Sequence, residues 1–178
     1  YNRPTPSLQG LAGGRGVVYL GTFSRLLLPS IRSSFMFLPP DLAAVDRKRA
    51  DQYNQTASKA EQIALCQFIR DGHLAAQTRK LKRLYSVKLK ALRSAVREVF
   101  GKDSQIQTGA AGTSLALTLS TTLTWQELQK KAQTNGLRLQ LLREAPGKIT
   151  LILSCSSMPV ADFVPACKLL KNISQIQN

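Results

Sequence analysis

Gly21-Thr22-Phe23-Ser24-Arg25-Leu26-Leu27-Leu28-Pro29-Ser30-Ile31-Arg32 is the stretch whose reading decides the fold. On either side lie short apolar runs, residues 17–20 and 35–38, bounded by glycine and proline. Such runs predict two buried strands. Between them the chain places the hydroxyls of Thr22 and Ser24 and the guanidiniums of Arg25 and Arg32. Hydroxyls and a fork of N–H donors match phosphate oxygens, so this turn is a candidate anion cradle. The alternative is a polar loop that merely joins two strands.

Downstream, Pro39-Pro40-Asp41 stops the second strand and opens a helix over 42–52, with Asp41 near its start. Ser58-Lys59-Ala60-Glu61 has the spacing of a capping box, and Ile63, Leu65, Phe68 and Ile69 supply the apolar face of the helix that Asp71-Gly72 ends. His73 then opens a long helix to about Phe100, in which Leu74, Leu81, Leu84, Tyr85, Leu89, Leu92, Val96 and Val99 recur near helical spacing. Its other face carries Arg79, Lys80, Lys82, Arg83, Lys88, Lys90, Arg93 and Arg97. That face is either a surface for nucleic acid or another polyanion, or a solvated helix face.

Upstream, residues 1–16 are rich in proline and glycine and read as an irregular entry loop. From Asp103 onward, short strands alternate with helices. Residues 115–119 alternate as a strand, and Thr124-x-x-Glu127 is a second capping box, for a helix to about Thr134 stopped by Asn135-Gly136. Residues 137–142 and 149–153 are strands around a Pro146-Gly147 turn, and Met158-Pro159 starts a last helix to about Ile173, kinked at Pro165.

A chain of 178 residues can build one sizeable core or two small ones. It is 43% hydrophobic but has no apolar run of about 18 residues, which favours a globular protein over a membrane span. The net charge of +15 makes an anionic partner worth considering. Cys66, Cys155 and Cys167 are scattered without metal-ligand spacing, so they read as reduced, mostly buried thiols and imply no metal. A single histidine, His73, excludes chemistry that needs a histidine pair from this chain. The start, Tyr1-Asn2-Arg3-Pro4, carries no secretory signal and reads as the middle of a longer protein.

The run from Gly21 resembles the cofactor-lysine segment of fold-type I, pyridoxal-phosphate-dependent aminotransferases, and most closely the aminotransferase-like effector domain of MocR-type regulators in the GntR family. Their pattern is Gly-Thr-Phe-Ser-Lys, then Pro-Gly/Ser-Leu/Ile-Arg, then a hydrophobic strand ending in Pro-Pro. Ser58 to Leu65 is similar to the Ser-x-x-Glu-Gln-x-Ala-Leu motif that follows it in those domains. Gly72-His73 and Arg83-Leu84-Tyr85 match the start and a step of the family's own basic helix, which supports the solvated reading of that face. The resemblance covers essentially the whole chain, but only the second half of the family's domain. It implies an α/β fold, the second half of a fold-type I large domain plus the small C-terminal α/β domain. The implied divisions are 1–52, a remnant of the cofactor-binding large domain; 53–100, a helical segment with the long linking helix; and 101–178, the small domain.

The same resemblance implies pyridoxal 5′-phosphate as cofactor, with Thr22, Ser24 and Arg32 at phosphate-side positions. Arg25 stands at the Schiff-base lysine position. A guanidinium stays protonated and cannot act as an amine nucleophile, so covalent attachment is not expected. Binding through the phosphate remains open, with Arg25 adding charge. Other departures agree: Gly112-Thr113-Ser114 replaces the family's Gly-Leu-His step, the loop after Gly136-Leu137-Arg138 is shortened, and residues 149–154 lack the arginine that holds a substrate carboxylate. The implied function is a truncated, catalytically inactive aminotransferase-like effector domain. An active aminotransferase subunit recruiting another lysine, and a small basic nucleic-acid-binding protein, are the alternatives. By analogy the partner is a second copy or the missing first half of the large domain, DNA is met only through a winged-helix domain outside this chain, no membrane is involved and the location is cytoplasmic. Alone, the two strands flanking the turn would expose edges and apolar surface.

Overall fold

An apolar run is buried only where a second layer covers it, and the two parts of this chain differ in that respect. The computed structural model describes residues 6–52, 57–101, 105–108 and 112–174. It divides into two units, Tyr1–Thr78 and Arg79–Asn178.

The first unit begins with one helical turn, α1 (Leu8–Leu11), inside the stretch expected to be irregular; Ser7 caps it by accepting from the Gly10 amide. Strands β1 (Tyr19–Thr22) and β2 (Ser34–Phe37) form an antiparallel hairpin with Tyr19 opposite Phe37 and Gly21 opposite Phe35. Helix α2 (Pro40–Arg49) runs on into a 3-10 turn, Ala50–Gln52. Ser58 caps α3 (Lys59–Arg70), its hydroxyl accepting from the Glu61 amide at 3.4 Å, though the return bond of a capping box is not made among the described residues. Gly72, at a φ of 78° that glycine adopts without steric penalty, turns the chain into the next helix.

The expectation of buried strands is corrected here. Leu20 is 73% exposed and Met36 53%, and on the apolar face of α3 Ile63 is 69% exposed. Among the described residues of this unit only Ser33 and Pro39 are buried. A two-stranded ribbon has two faces, and among the described residues of its own unit no second layer covers them. The expected exposure of edges and apolar surface is what the hairpin displays.

Helix α4 (His73–Phe100) has the predicted bounds, and its turns from Arg79 on belong to the second unit. There follow β3 (Gln105–Thr108), β4 (Ser114–Ser120), α5 (Trp125–Thr134), β5 (Gln140–Ala145), β6 (Lys148–Ser154), a 3-10 turn at Val160–Asp162 and α6 (Phe163–Ser174). The sheet order is β3-β4-β6-β5 and every pairing is antiparallel. Leu115, Leu117 and Leu119 alternate along β4 and meet Ile149 and Leu151 of β6 across the ladder on one buried face. Leu92, Val96 and Val99 of α4, Leu128 of α5, and Phe163, Cys167 and Leu170 of α6 complete one cluster with them. Each such side chain contributes about 1.5–3 kcal/mol on burial, so this cluster is what holds the unit together.

Local differences from the sequence reading have local causes. β3 carries one apolar residue in Gln-Ile-Gln-Thr, too little signal to announce an edge strand. β5 starts three residues later than the predicted 137, because the amides of Gly136 and Leu137 close the end of α5 on Gln133 and Ala132. A register slip between Leu141 and Arg143 then turns Leu142 outward. Pro165 does not kink a helix: it is the third residue of α6, where the missing N–H would have had no intrahelical acceptor.

Thr124 and Glu127 form both bonds of the capping box, the Thr124 amide donating to Glu127 Oε2 at 2.8 Å and the Glu127 amide to Thr124 Oγ1 at 3.4 Å. These bonds from Thr124, amide before hydroxyl, hold the Glu127 carboxyl below its ordinary value. Its support for the helix is therefore present above the unfolded carboxylate pKa and lost as the pH falls through the lower folded one.

Cys155 and Cys167 are buried and Cys66 is exposed. Burial raises the Cys155 thiol, whose sulfur donates to the Thr113 carbonyl at 3.1 Å. For Cys167, burial first and the Glu98 charge second push the thiol from 9.0 up to about 11. A raised thiol pKa stabilises the fold fully below the unfolded value and loses that contribution as the pH climbs toward the folded one. Thermal unfolding of the second unit should therefore fall from about pH 9 to about pH 11, and less steeply in Cys167→Ala; equal slopes would show that this thiol contributes nothing.

Candidate functional site

The turn between β1 and β2 extends the ladder by one bond, Phe23 N to Ser33 O at 3.2 Å, and then folds tightly. The amides of Leu26 and Leu27 both donate to the Phe23 carbonyl, and the Ile31 amide to that of Leu28. Two side chains fasten this loop. Thr22 Oγ1 donates to Ser24 Oγ at 3.2 Å and accepts from the Ser24 amide at 3.3 Å, while Ser24 Oγ donates to the Ile31 carbonyl at 2.5 Å. Of the predicted site residues, the fold thus brings Thr22 and Ser24 together and ties them to the neighbour of Arg32. Arg25 and Arg32 are exposed, and among the described residues neither guanidinium pairs with a carboxylate.

Two features escaped the sequence reading. Ser33, adjoining Arg32, is 5% exposed and its hydroxyl has no partner among the described residues. A buried hydroxyl left unsatisfied costs about 1–3 kcal/mol, and no local pattern in Ser33-Ser34-Phe35 announces it. Gly21 is the other. A Cβ there would stand 2.2 Å from Phe35 Cζ, so the glycine exists because a ring lies across it. That ring belongs to an aromatic group on the hairpin: its centroid is 5.1 Å from Phe23 and 5.5 Å from Phe37.

The donor set fits one part of pyridoxal phosphate and not another. Two guanidiniums without carboxylate partners suit a doubly charged anion, and the two hydroxyls can join once they exchange their internal bonds for it. The turn from 21 to 32 holds no amine, so nothing in it forms a covalent link to an aldehyde. His73 plays no part, its ring packing 5.2 Å from that of Phe68. No group of three or more His, Cys, Asp or Glu capable of holding a metal occurs among the described residues. No described helix is long and apolar enough to cross a membrane. The second unit has a half-open pocket of about 590 Å³ along β5, β6 and α6, apolar apart from its serine and glutamine edges and, among the described residues, with Arg138 its one charged lining residue.

No protein-family model matches the sequence. The chain is 31% identical over 173 residues to the uncharacterized HTH-type transcriptional regulator YdeL of Bacillus subtilis, across 95% of this chain and 37% of that protein. It is 36% identical over 136 residues to the uncharacterized HTH-type regulator YhdI of the same bacterium, across 76% and 29% of the two. It is also 31% identical over 140 residues to the probable rhizopine catabolism regulatory protein MocR of Rhizobium meliloti, across 79% and 28%. The chain therefore spans about a third of the length of these relatives. Among solved structures it superposes on LysN, the α-aminoadipate aminotransferase of Thermus thermophilus, with a TM-score of 0.72 at 21% identity, covering 97% of this chain and 46% of that one. On the multiple substrate aminotransferase of Thermococcus profundus the TM-score is 0.76 at 20% identity, covering 98% and 44%. These likenesses show the fold: an α/β chain that matches somewhat under half of a fold-type I aminotransferase. The sequence matches add homology to part of MocR-type HTH regulators.

Proposed function

We propose that this chain is part of the aminotransferase-like effector domain of a MocR-type regulator, catalytically silent, with a β1–β2 turn that binds the phosphate of pyridoxal 5′-phosphate without a covalent bond. The observation that carries the reading is Arg25, which places a permanent cation where the family has its amine, in a loop that Thr22 and Ser24 fasten. In an active relative the cofactor acts as an electron sink for amino-acid chemistry. Here Arg25 and Arg32 supply charge for its phosphate, Thr22 and Ser24 supply hydroxyls, and no residue of the turn goes further. The exposed apolar faces of the β1–β2 hairpin suit a covering partner, either the first half of the large domain or a second copy. DNA recognition by a winged helix belongs to a segment outside these 178 residues, and the location that goes with such a regulator is cytoplasmic.

An absorbance titration with pyridoxal phosphate, followed by borohydride reduction and peptide mapping, tests this. The expected result is weak, reversible, salt-sensitive binding, reduced about tenfold or more by Arg32→Gln, the loss of one charge-assisted contact. No lysine should carry a reduced label, and a labelled lysine would establish the competing reading of an active subunit. Arg25→Lys should restore no transamination, because the chain spans under half of an aminotransferase. Turnover by that variant alone would overturn the proposal.

A further inference from the structure

The outer face of α4 carries a row of cations that the fold does not use. At about 100° per residue, Leu92, Val96 and Val99 gather on the buried side, whereas Arg79, Arg83, Lys90 and Arg97 fall within about 40° of one another on the opposite side. All four are exposed. At about 1.5 Å per residue the row is about 27 Å long. Glu98 is the single acid on the helix, and among the described residues no carboxylate pairs with any of the four. Neighbouring cations do serve the fold: Lys88 Nζ donates to the Ser156 carbonyl at 3.0 Å, and Arg93 donates to Thr108 Oγ1. A solvated helix face ordinarily intersperses charges of both signs at i, i+4, whereas Arg79 and Arg83 place like charges there and repel.

We propose that this row docks the phosphate backbone of duplex DNA, independently of whether the β1–β2 turn binds a phosphate. A rigid, straight line of guanidinium and ammonium groups matches a stiff polymer with regularly spaced charges. Single strands are disfavoured because the row contains no aromatic side chain on which bases could stack. An anionic membrane is disfavoured because Leu92, Val96 and Val99 are spent on the core and, among the described residues, Leu84 and Val87 are the large apolar side chains of α4 left exposed, too few to anchor a helix in lipid. Contacts of this kind position DNA and carry no sequence preference.

Fluorescence anisotropy of the full chain with two unrelated duplexes of about 20 base pairs, over about 50 to 200 mM salt, tests the proposal. About four neutralised phosphates give a log–log slope between about −3 and −4, a loss of about a hundredfold across that range. Lys90→Gln should lower the slope by about 0.9, and R79Q/R83Q/K90Q/R97Q should abolish the salt-dependent binding. R47Q/K48Q/R49Q/K59Q removes the same formal charge from α2 and α3 and should leave the slope unchanged, with near-ultraviolet circular dichroism checking each fold. No duplex binding at the lowest salt, equal losses in the two fourfold variants, or tighter binding to phosphatidylserine vesicles or to poly(dT) would each overturn it.

Discussion

Phe163→Ala is expected to cost the second unit about 3–5 kcal/mol, a large share of a small domain's whole stability. Phe163 is 1% exposed and opens α6 against the cluster that contains Leu117, Leu151 and Leu128. It also lines the half-open pocket of about 590 Å³, so truncation widens that pocket. Ile63→Ala on α3 should change stability by no more than about 0.5 kcal/mol, because Ile63 already faces solvent. The chain has one tryptophan, Trp125, half-buried against the same cluster, so its fluorescence in urea reports the second unit selectively. A loss below about 1 kcal/mol for Phe163→Ala would show that the cluster is not the core.

This asymmetry explains what could and could not be read from the sequence. The bounds of α4 were legible because 28 residues of helical period end at Gly72 and Gly101, both with positive φ. Thr124 and Glu127 were legible because a capping box is a local interaction, complete within four residues. Burial of the runs at 17–20 and 35–38 was not, because an apolar run states what a strand can bury and says nothing of what lies over it. The same holds for Ile63 and Ile69: a helical stripe identifies a face and not its cover, and both residues are exposed. At the candidate site the residue types were legible, including the missing amine at Arg25. Their arrangement was not, since the bond from Ser24 Oγ to the Ile31 carbonyl joins residues seven apart through a loop geometry that no pattern encodes. Gly21 is the sharpest case, because a glycine in a phosphate-type motif invites the idea that a ligand approaches its backbone closely.

Gly21→Ala decides what that glycine is for, and its expected effect is loosening of the β1–β2 hairpin. The added Cβ would lie 2.2 Å from Phe35 Cζ and 2.7 Å from both Cε atoms, closer than carbon atoms can stand. The ring has little freedom to withdraw, with Phe23, Phe37 and Tyr19 centroids at 5.1, 5.5 and 6.3 Å. Overpacking of this kind costs about 1–3 kcal/mol, which a two-stranded ribbon without a covering layer cannot absorb. Amide exchange across Tyr19–Thr22 should therefore accelerate, and pyridoxal phosphate affinity should fall with it, since the turn loses its base. Phe35→Leu in the same chain removes the ring atoms that clash, so the double variant should recover both the exchange protection and the affinity. That recovery is a coupling between two residues directly opposite in the ladder. If the glycine instead admits the ligand to the backbone, Gly21→Ala will lower affinity while the hairpin amides stay protected, and Phe35→Leu will restore nothing.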